Sequence, residues 1–566
     1  MKKILCVILG LLCILTSCKK DSINIVEKSE TNIVEDGSDD VSSETFVKSI
    51  SVVFSNSENA VVTGTDSTFL VTIDGNQVTI VYSGDEQVQY NLSGTTGNGF
   101  FKLYSAKKQA LALSDLSLAN SNGAAINVQG AMDSPNSGKR TFIVLNGTNS
   151  VADGASYTQT PSGEDEKGAI FGEGKLVFSG NGSLTVTATG KSGIVSDDYV
   201  RFMASPSISV TSSAGHGVRA KDSVIVSDGT LNITVSANMK KGISSDAVVR
   251  IDGGTTTIAV SGNAAYDSDS KSYSGSAGIK ADGRFEINGG SLAITNSGTG
   301  GKGISGNAEG FFKGGTVTVA TTGTNYTSGS VSAKGIKFDG NLVFSGALVS
   351  VSCKSDEGIE SKGTITVSDG VVYSYSAADD AINSASDFTI SGGYVCGYAV
   401  KNDGLDANGD FYISGGTVYA IGASSPEVAI DANTEEQHKL YVQGGTIIAI
   451  GGLERGSSLT QNCYQSSSWA QNTWYNLSIG TKNIAFKTPQ SGGSGLVVSG
   501  NSTPELTSGV TVSGGTTYFE GILIVDGSVN GGESVSLSSY TSESGGGPGG
   551  NQGGGPGGNT PPNGRF

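Results

Sequence analysis

The chain has 566 residues, 85 of them glycine, with 15% charged residues and a formal net charge of −17. That balance argues against a nucleic-acid partner and for soluble or cation-mediated partners. The two histidines, His216 and His438, lie far apart, and Cys353, Cys396 and Cys463 match no zinc spacing, which disfavours a histidine-based hydrolase and a zinc site.

The N-terminus reads as a targeting segment. Lys2 and Lys3 precede an apolar run, residues 5–15, that is too short to span a membrane. Leu15-Thr16-Ser17-Cys18 then looks like the bacterial lipobox, in which the cysteine is acylated. Residues 1–17 are therefore expected to be a lipoprotein signal peptide, and 18–45 a lipidated Cys18 followed by a flexible polar stalk. This implies a membrane partner through a lipid anchor. The expected location is the cell envelope, at the outer membrane or surface of a Gram-negative bacterium.

Residues 46–166 hold short apolar strands without a clear period, and are expected to form an N-terminal cap and first coils. From 167 to 452 the chain repeats. The segment KNDGLDANGDFYISGGTVYAIGA (401–423) is one copy, and ADDAINSASDFTISGGYVCGYAV (378–400) is the copy before it. Aligning copies on the apolar residue after the turn gives a ladder: Ile170, Ile194, Val218, Ile243, Ile279, Ile304, Ile336, Ile359, Ile382, Leu405 and Ile430. Most steps are 23 to 25 residues, and longer steps lead to Ile279 and Ile336. Six and eight residues after the ladder position come apolar pairs such as Phe388 and Ile390 or Phe411 and Ile413. Period two marks a strand with one buried face. A Gly-Gly or Asp-Gly turn and a second alternating run follow.

No helical period is present, and the repeat is too short for a propeller blade. The predicted fold is all-β: a single-stranded right-handed parallel β-helix, a solenoid with irregular N- and C-terminal caps. Residues 453–540, with Trp469 and Trp474, lose the period and are expected to be the C-terminal cap. Residues 541–566 read as a Gly/Pro-rich disordered tail.

The DxGI-containing unit, AAINVQGAMDSPNSGKRTFIVLNGTN (124–149) and EKGAIFGEGKLVFSGNGSLTV together resemble a bacterial family of secreted carbohydrate-binding domains. The resemblance spans about residues 46–540. It implies a calcium-containing, pectate-lyase-like parallel β-helix that binds plant cell-wall polysaccharide.

Stacking the repeats in parallel brings equivalent residues about 4.8 Å apart. Asp356-Glu357, Asp379-Asp380 and Asn402-Asp403 precede the last ladder residues, and Glu360, Asn383, Asp406 and Asp431 follow them. Carboxylates stacked at about 5 Å repel by roughly 3 kcal/mol per pair at an effective dielectric near 20. The oxygen-rich set Asp356, Glu357, Asp379, Asp380, Asn402, Asp403 and Asp406 suits Ca²⁺, and the resemblance implies calcium at these turns too. The alternative is a solvated acidic edge. Earlier repeats carry Lys167, Lys191, His216, Lys240, Lys241, Lys302 and Lys334 at those turns, with Arg219, Lys280 and Lys337 just after the ladder residue. Such a basic stripe either grips uronate carboxylates, with Lys337 as a contact, or only solubilises the edge.

Tyr373, Tyr375, Tyr398 and Tyr419 are expected on the outer side of the strand after the Gly-Gly turn. There they form a sugar platform, unless the C-terminal cap covers them.

The expected function is non-catalytic polysaccharide binding by a calcium-stabilised, surface-anchored monomer, with no catalytic residue assigned. A calcium-dependent lyase is the minority reading, because its base would have to be Lys337 or Lys362, and neither lies in a motif. A third reading is an adhesin that displays the insertions at 264–277 and 324–333.

Overall fold

The computed structural model describes residues 39–158 and 160–541. The signal segment, Cys18 and nearly all of the Gly/Pro-rich tail lie outside them. The chain divides into Met1–Glu44 and Thr45–Phe566. In the described part of the first unit a 3-10 turn, Val41–Ser43, is capped by the Asp40 carboxylate, which accepts from the Ser42 N–H at 2.9 Å.

The second unit is all-β and dominated by parallel pairing. Among the described residues no helix is long and apolar enough to cross a membrane. Most repeats supply three strands, a ladder strand, a second strand and a third strand after a glycine turn; in Leu342–Cys353 and Ile365–Ser376 the second and third run on as one. Each kind pairs with its own kind in the next repeat.

The ladder strands hold Ile170 opposite Ile194, then Val218, Ile243, Ile279, Ile304, Ile336, Ile359, Ile382 and Leu405 in one register. Single bridges extend the row to Ile430 and Leu453. This is the row read from the sequence, and it is buried throughout. The pairing also reaches back beyond Lys167, through Ile126–Gln129 and Phe100–Ser105 to Gln77–Tyr82. There a hairpin with Phe69–Asp74 ends the strip.

Stacked identical positions produce stacked rings. Phe388 lies 4.5 Å from Phe411, Phe312 4.8 Å from Phe344, and Phe178 5.3 Å from Phe202, centroid to centroid. Fully burying each ring contributes roughly 1.5–3 kcal/mol. Two glycine positions make this packing possible. The second glycine of the turn is left-handed, as at Gly290 (φ 74°) and Gly416 (φ 77°), which favours glycine. The glycine before the ladder residue makes room for the third strand: a Cβ at Gly242 would meet Ile258 Cγ2 at 2.3 Å.

At the C-terminal end the pairing reverses. Thr446–Ile450 pairs antiparallel with Leu496–Ser499, which also pairs with Cys463–Ser466. A six-stranded antiparallel sheet, including Trp474–Ile479, Lys482–Lys487 and Leu523–Val525, builds its own core. The two insertions are short local structures. Ala265–Asp267 and Ser272–Ser274 form a hairpin, and Tyr273 packs on Tyr326 of the second insertion at 5.7 Å.

Candidate functional site

The ladder strands place the acidic turns in columns. One residue after the ladder position, Lys337, Glu360, Asn383 and Asp406 are directly paired neighbours. The turn residues gather into two groups. In the first, oxygens of Asp356, Glu357 and Asp379 lie within 4.8 Å of one another. Asn402 donates to Asp379 at 2.7 Å, and Asn325 from the second insertion donates to Asp356 at 2.7 Å. In the second group Asn383 donates to both Asp380 (2.9 Å) and Asp406 (2.8 Å). Asp403 N–H donates to Asp380 at 3.0 Å, and the Asp403 carboxylate accepts from Val428 N–H at 2.5 Å.

The groups differ in what balances their charge. Lys334, which the sequence placed with the basic turns, reaches Asp356 (3.2 Å), Glu357 (2.7 Å) and Glu360 (2.5 Å). Its single ammonium offsets part of the charge of the first group, so Asp356 and Glu357 share their oxygens with a lysine, while Asp379 has no lysine partner among the described residues. No lysine or arginine pairs with Asp380, Asp403 or Asp406 among the described residues. Burial, and then the neighbouring Asp406, push Asp380 up to about 7. Burial, with Asp380 and Asp406 beside it, pushes Asp403 up to about 8. Asp406 rises to about 6 through burial. Buried like charges without a counter-ion favour their protonated forms, and a bound cation would reverse that. The residue types of this second group, carboxylates and an amide, fit a hard divalent ion.

The basic column is less open than the sequence suggested. Lys337 pairs with Asp339, and Lys362 pairs with Glu360. Lys167 bridges Asp165 (2.8 Å) and Asp197.

The outer side of the third strands has two different halves. In the first half it carries small residues: Thr185, Ser209, Asn232, Thr257, Ala293, Thr318 and Ser350 form one row in register. Thr185, Asn232, Thr257 and Thr318 are exposed, as is Thr295 in the parallel row. In the second half the same row continues as Tyr373, Cys396, Tyr419 and Ile448. Here the exposed tyrosine platform is corrected. Tyr419 is 0% and Tyr373 7% exposed, because the C-terminal sheet lies on them. Tyr419 donates its hydroxyl to Lys487 O at 2.8 Å, and its ring meets Phe486 edge-on at 5.6 Å. Tyr375 and Tyr398 sit in the next row, half-buried and edge to face at 5.1 Å.

Where the cover begins, the structure opens a cleft of about 670 Å³. Its floor is Thr318, Leu348 and Ser350, and its wall is Tyr518, Phe519 and Glu520. Phe519 stacks on Tyr373 at 6.1 Å, and Ser350 donates to the Glu520 carboxylate at 2.9 Å. Phe519 and Glu520 hold left-handed backbone (φ 55° and 54°), a conformation that costs energy for such residues. Nothing in the repeat points to this site, since its wall and floor lie 170 residues apart in the chain and no period links them.

A family described as carbohydrate-binding domain-containing protein matches residues 74–264, 232–322 and 280–380, together more than half of the chain. No curated protein matches it. Among solved structures, the polysaccharide lyase-like protein from C. thermocellum, in its gadolinium derivative, is similar at 19% identity and a TM-score of 0.33. That match covers 45% of this chain and 96% of the other.

Proposed function

The chain belongs to the family of carbohydrate-binding domain-containing proteins, and from that premise we propose that it holds polysaccharide without cleaving it. The observation that carries the reading is the row of exposed hydroxyl residues running into an aromatic-walled cleft. Threonine and serine hydroxyls both donate and accept. Leu348 and Tyr518 offer apolar surface to sugar rings, with the buried Phe519 packed behind them, and the Glu520 carboxylate accepts from ring hydroxyls. A cleft of this volume takes a few sugar units, with the polymer continuing over the open row.

In this reading the three parallel strips wind as a right-handed β-helix, and Ca²⁺ is a structural part of it. Asp380, Asp403 and Asp406, with the Asn383 amide, would hold the ion, and Asp379 and Asn402 flank them. The ion would supply the positive charge that this part of the acidic column lacks. Uronate-containing polymers suit the basic repeats. Cys18 would carry lipid, placing the monomer at the outer membrane or cell surface. A lyase is disfavoured by chemistry: both candidate bases, Lys337 and Lys362, are ion-paired to carboxylates.

The test is to incubate the protein with homogalacturonan, cellulose and mucin glycans, and to measure retention and new unsaturated ends together. Retention without new ends is expected. Unsaturated product would replace this reading with a lyase, and neither result would favour an adhesin.

A further inference from the structure

On the ladder strip, next to the first acidic turn, four lysines surround one hollow. Two residues before the ladder position, Lys241 and Lys302 are two repeats apart with Ala277 between them. One residue after it, Lys280 and Lys337 are two repeats apart with Ser305 between them. The small residue in the middle of each column leaves a gap about 10 Å long between the flanking lysines. The gap is a pocket of about 140 Å³, walled also by Ser274 of the first insertion and by Asn307.

The charge in this pocket is not balanced inside it. Lys280 pairs with Asp282 at 3.1 Å and Lys337 with Asp339. Those carboxylates are more than two-fifths exposed and do not line the hollow. Lys241 donates to Met239 O at 2.6 Å and approaches Ser274 Oγ at 3.5 Å, both neutral. The Lys302 backbone is bonded to Ser276 O and to the Asn296 amide, but its ammonium has neither a hydrogen-bond nor an ion-pair partner among the described residues. Burial, and then the other lysines, pull both ammonium groups down to about 8. Two poorly solvated cations without a counter-ion are costly unless an anion joins them.

We propose that this pocket binds an oxyanion, a carboxylate or sulfate group borne by an acidic polysaccharide. The ammonium groups would supply charge and Ser274 a hydrogen bond, while Asn307 holds Lys280 and Asp282 at the edge of the pocket. The size restricts the occupant. The pocket holds a few water volumes, enough for an oxyanion group and too little for a sugar ring. The ring must therefore lie outside, so the group arrives on a larger chain. The inference rests on the glycan-binding reading for the identity of that chain, and on the lysines alone for the anion.

The experiment compares the full chain with the double variant Lys241→Gln/Lys302→Gln, and with Lys439→Gln as an exposed-charge control. Removing two half-buried charges that have no counter-ion should leave folding intact, and circular dichroism checks this first. One arm measures the change in melting temperature with sulfate or monomeric galacturonate against chloride at matched ionic strength. The other measures affinity for polygalacturonate, a sulfated glycan and neutral cellulose.

The parent should be stabilised by the small anions, and the double variant should lose that response. The variant should also lose at least tenfold in affinity for the acidic polymers, with cellulose unchanged and the control like the parent. An anion response confined to the parent, without retention of any polymer, would keep the pocket and remove the glycan reading. Equal anion responses and equal affinity for acidic polymer in parent and double variant would overturn the pocket.

Discussion

The two halves of the third-strand outer face share one backbone register and differ in almost everything else. From Thr185 to Ser350 the row is small, mostly polar, and exposed or half-exposed. From Tyr373 to Ile448 it is mostly large and apolar, with Cys396 as the small member, and an antiparallel sheet lies on it. The repeat fixes where these side chains point. Their chemistry decides whether the face is a surface or a second core. The cleft lies at the border, where a covering sheet meets an uncovered row, and there hydroxyls and aromatic rings meet in one concavity.

The contrast is broken most severely from the covered side. Tyr419→Ala should cost about 3–5 kcal/mol, because it opens a cavity against Phe486 and removes the hydrogen bond to Lys487 O. Urea denaturation would measure this. A loss below about 1 kcal/mol would mean that the C-terminal sheet does not depend on that face.

The next effect belongs to the acidic column. If Asp380, Asp403 and Asp406 hold Ca²⁺, chelation should remove about 2.7 kcal/mol at a hundredfold excess of metal over Kd. Ca²⁺ should restore it better than Mg²⁺, which demands a tighter octahedron. The metal-free protein should also respond to pH with a definite sign. These carboxyls sit near 7, 8 and 6 in the folded state, above the ordinary value of 3.8. The folded chain therefore binds more protons than the unfolded one. Their contribution is fully present below about pH 4 and is lost as pH rises through 6 to 8. Thermal melts in chelator from pH 4 to pH 8 would show the decline, and Ca²⁺ should oppose it. Equal responses to Ca²⁺ and Mg²⁺ at matched ionic strength would point to a solvated acidic edge.

At the border, Glu520→Gln should leave the fold intact and weaken glycan binding about fivefold to tenfold, since a charged acceptor becomes a neutral amide. Isothermal titration with an oligosaccharide checks it. The smallest effect is expected in the open half. Thr257→Ala should change stability by no more than about 0.5 kcal/mol, because its side chain touches solvent rather than a partner.

Much of the fold was legible in the sequence because the repeat writes the same instruction many times. Ile170 through Ile430, the pairs such as Phe388 and Ile390, and the left-handed Gly416 each follow from period and turn chemistry alone. What was not legible depends on segments without a period. Nothing in the order of residues shows that Phe486 comes to lie against Tyr419, or that Phe519 stacks on Tyr373. The acidic turns were readable as a column. Lys334 was not readable as their partner, because it looked like one more basic turn until the register set it beside Glu357 and Glu360. Lys241 and Lys302 were visible as charges, but the gap between them depends on Ala277 and on the insertion that brings Ser274.

The central claim is that polysaccharide lies on the open row and enters the cleft at its end. Hydrogen–deuterium exchange with and without a bound oligosaccharide tests it most directly. The account predicts new protection at Leu348 to Ser352 and at Thr516 to Gly521, with no change in the covered strands around Tyr419. Protection confined to other surfaces, with those two segments unchanged, would contradict it.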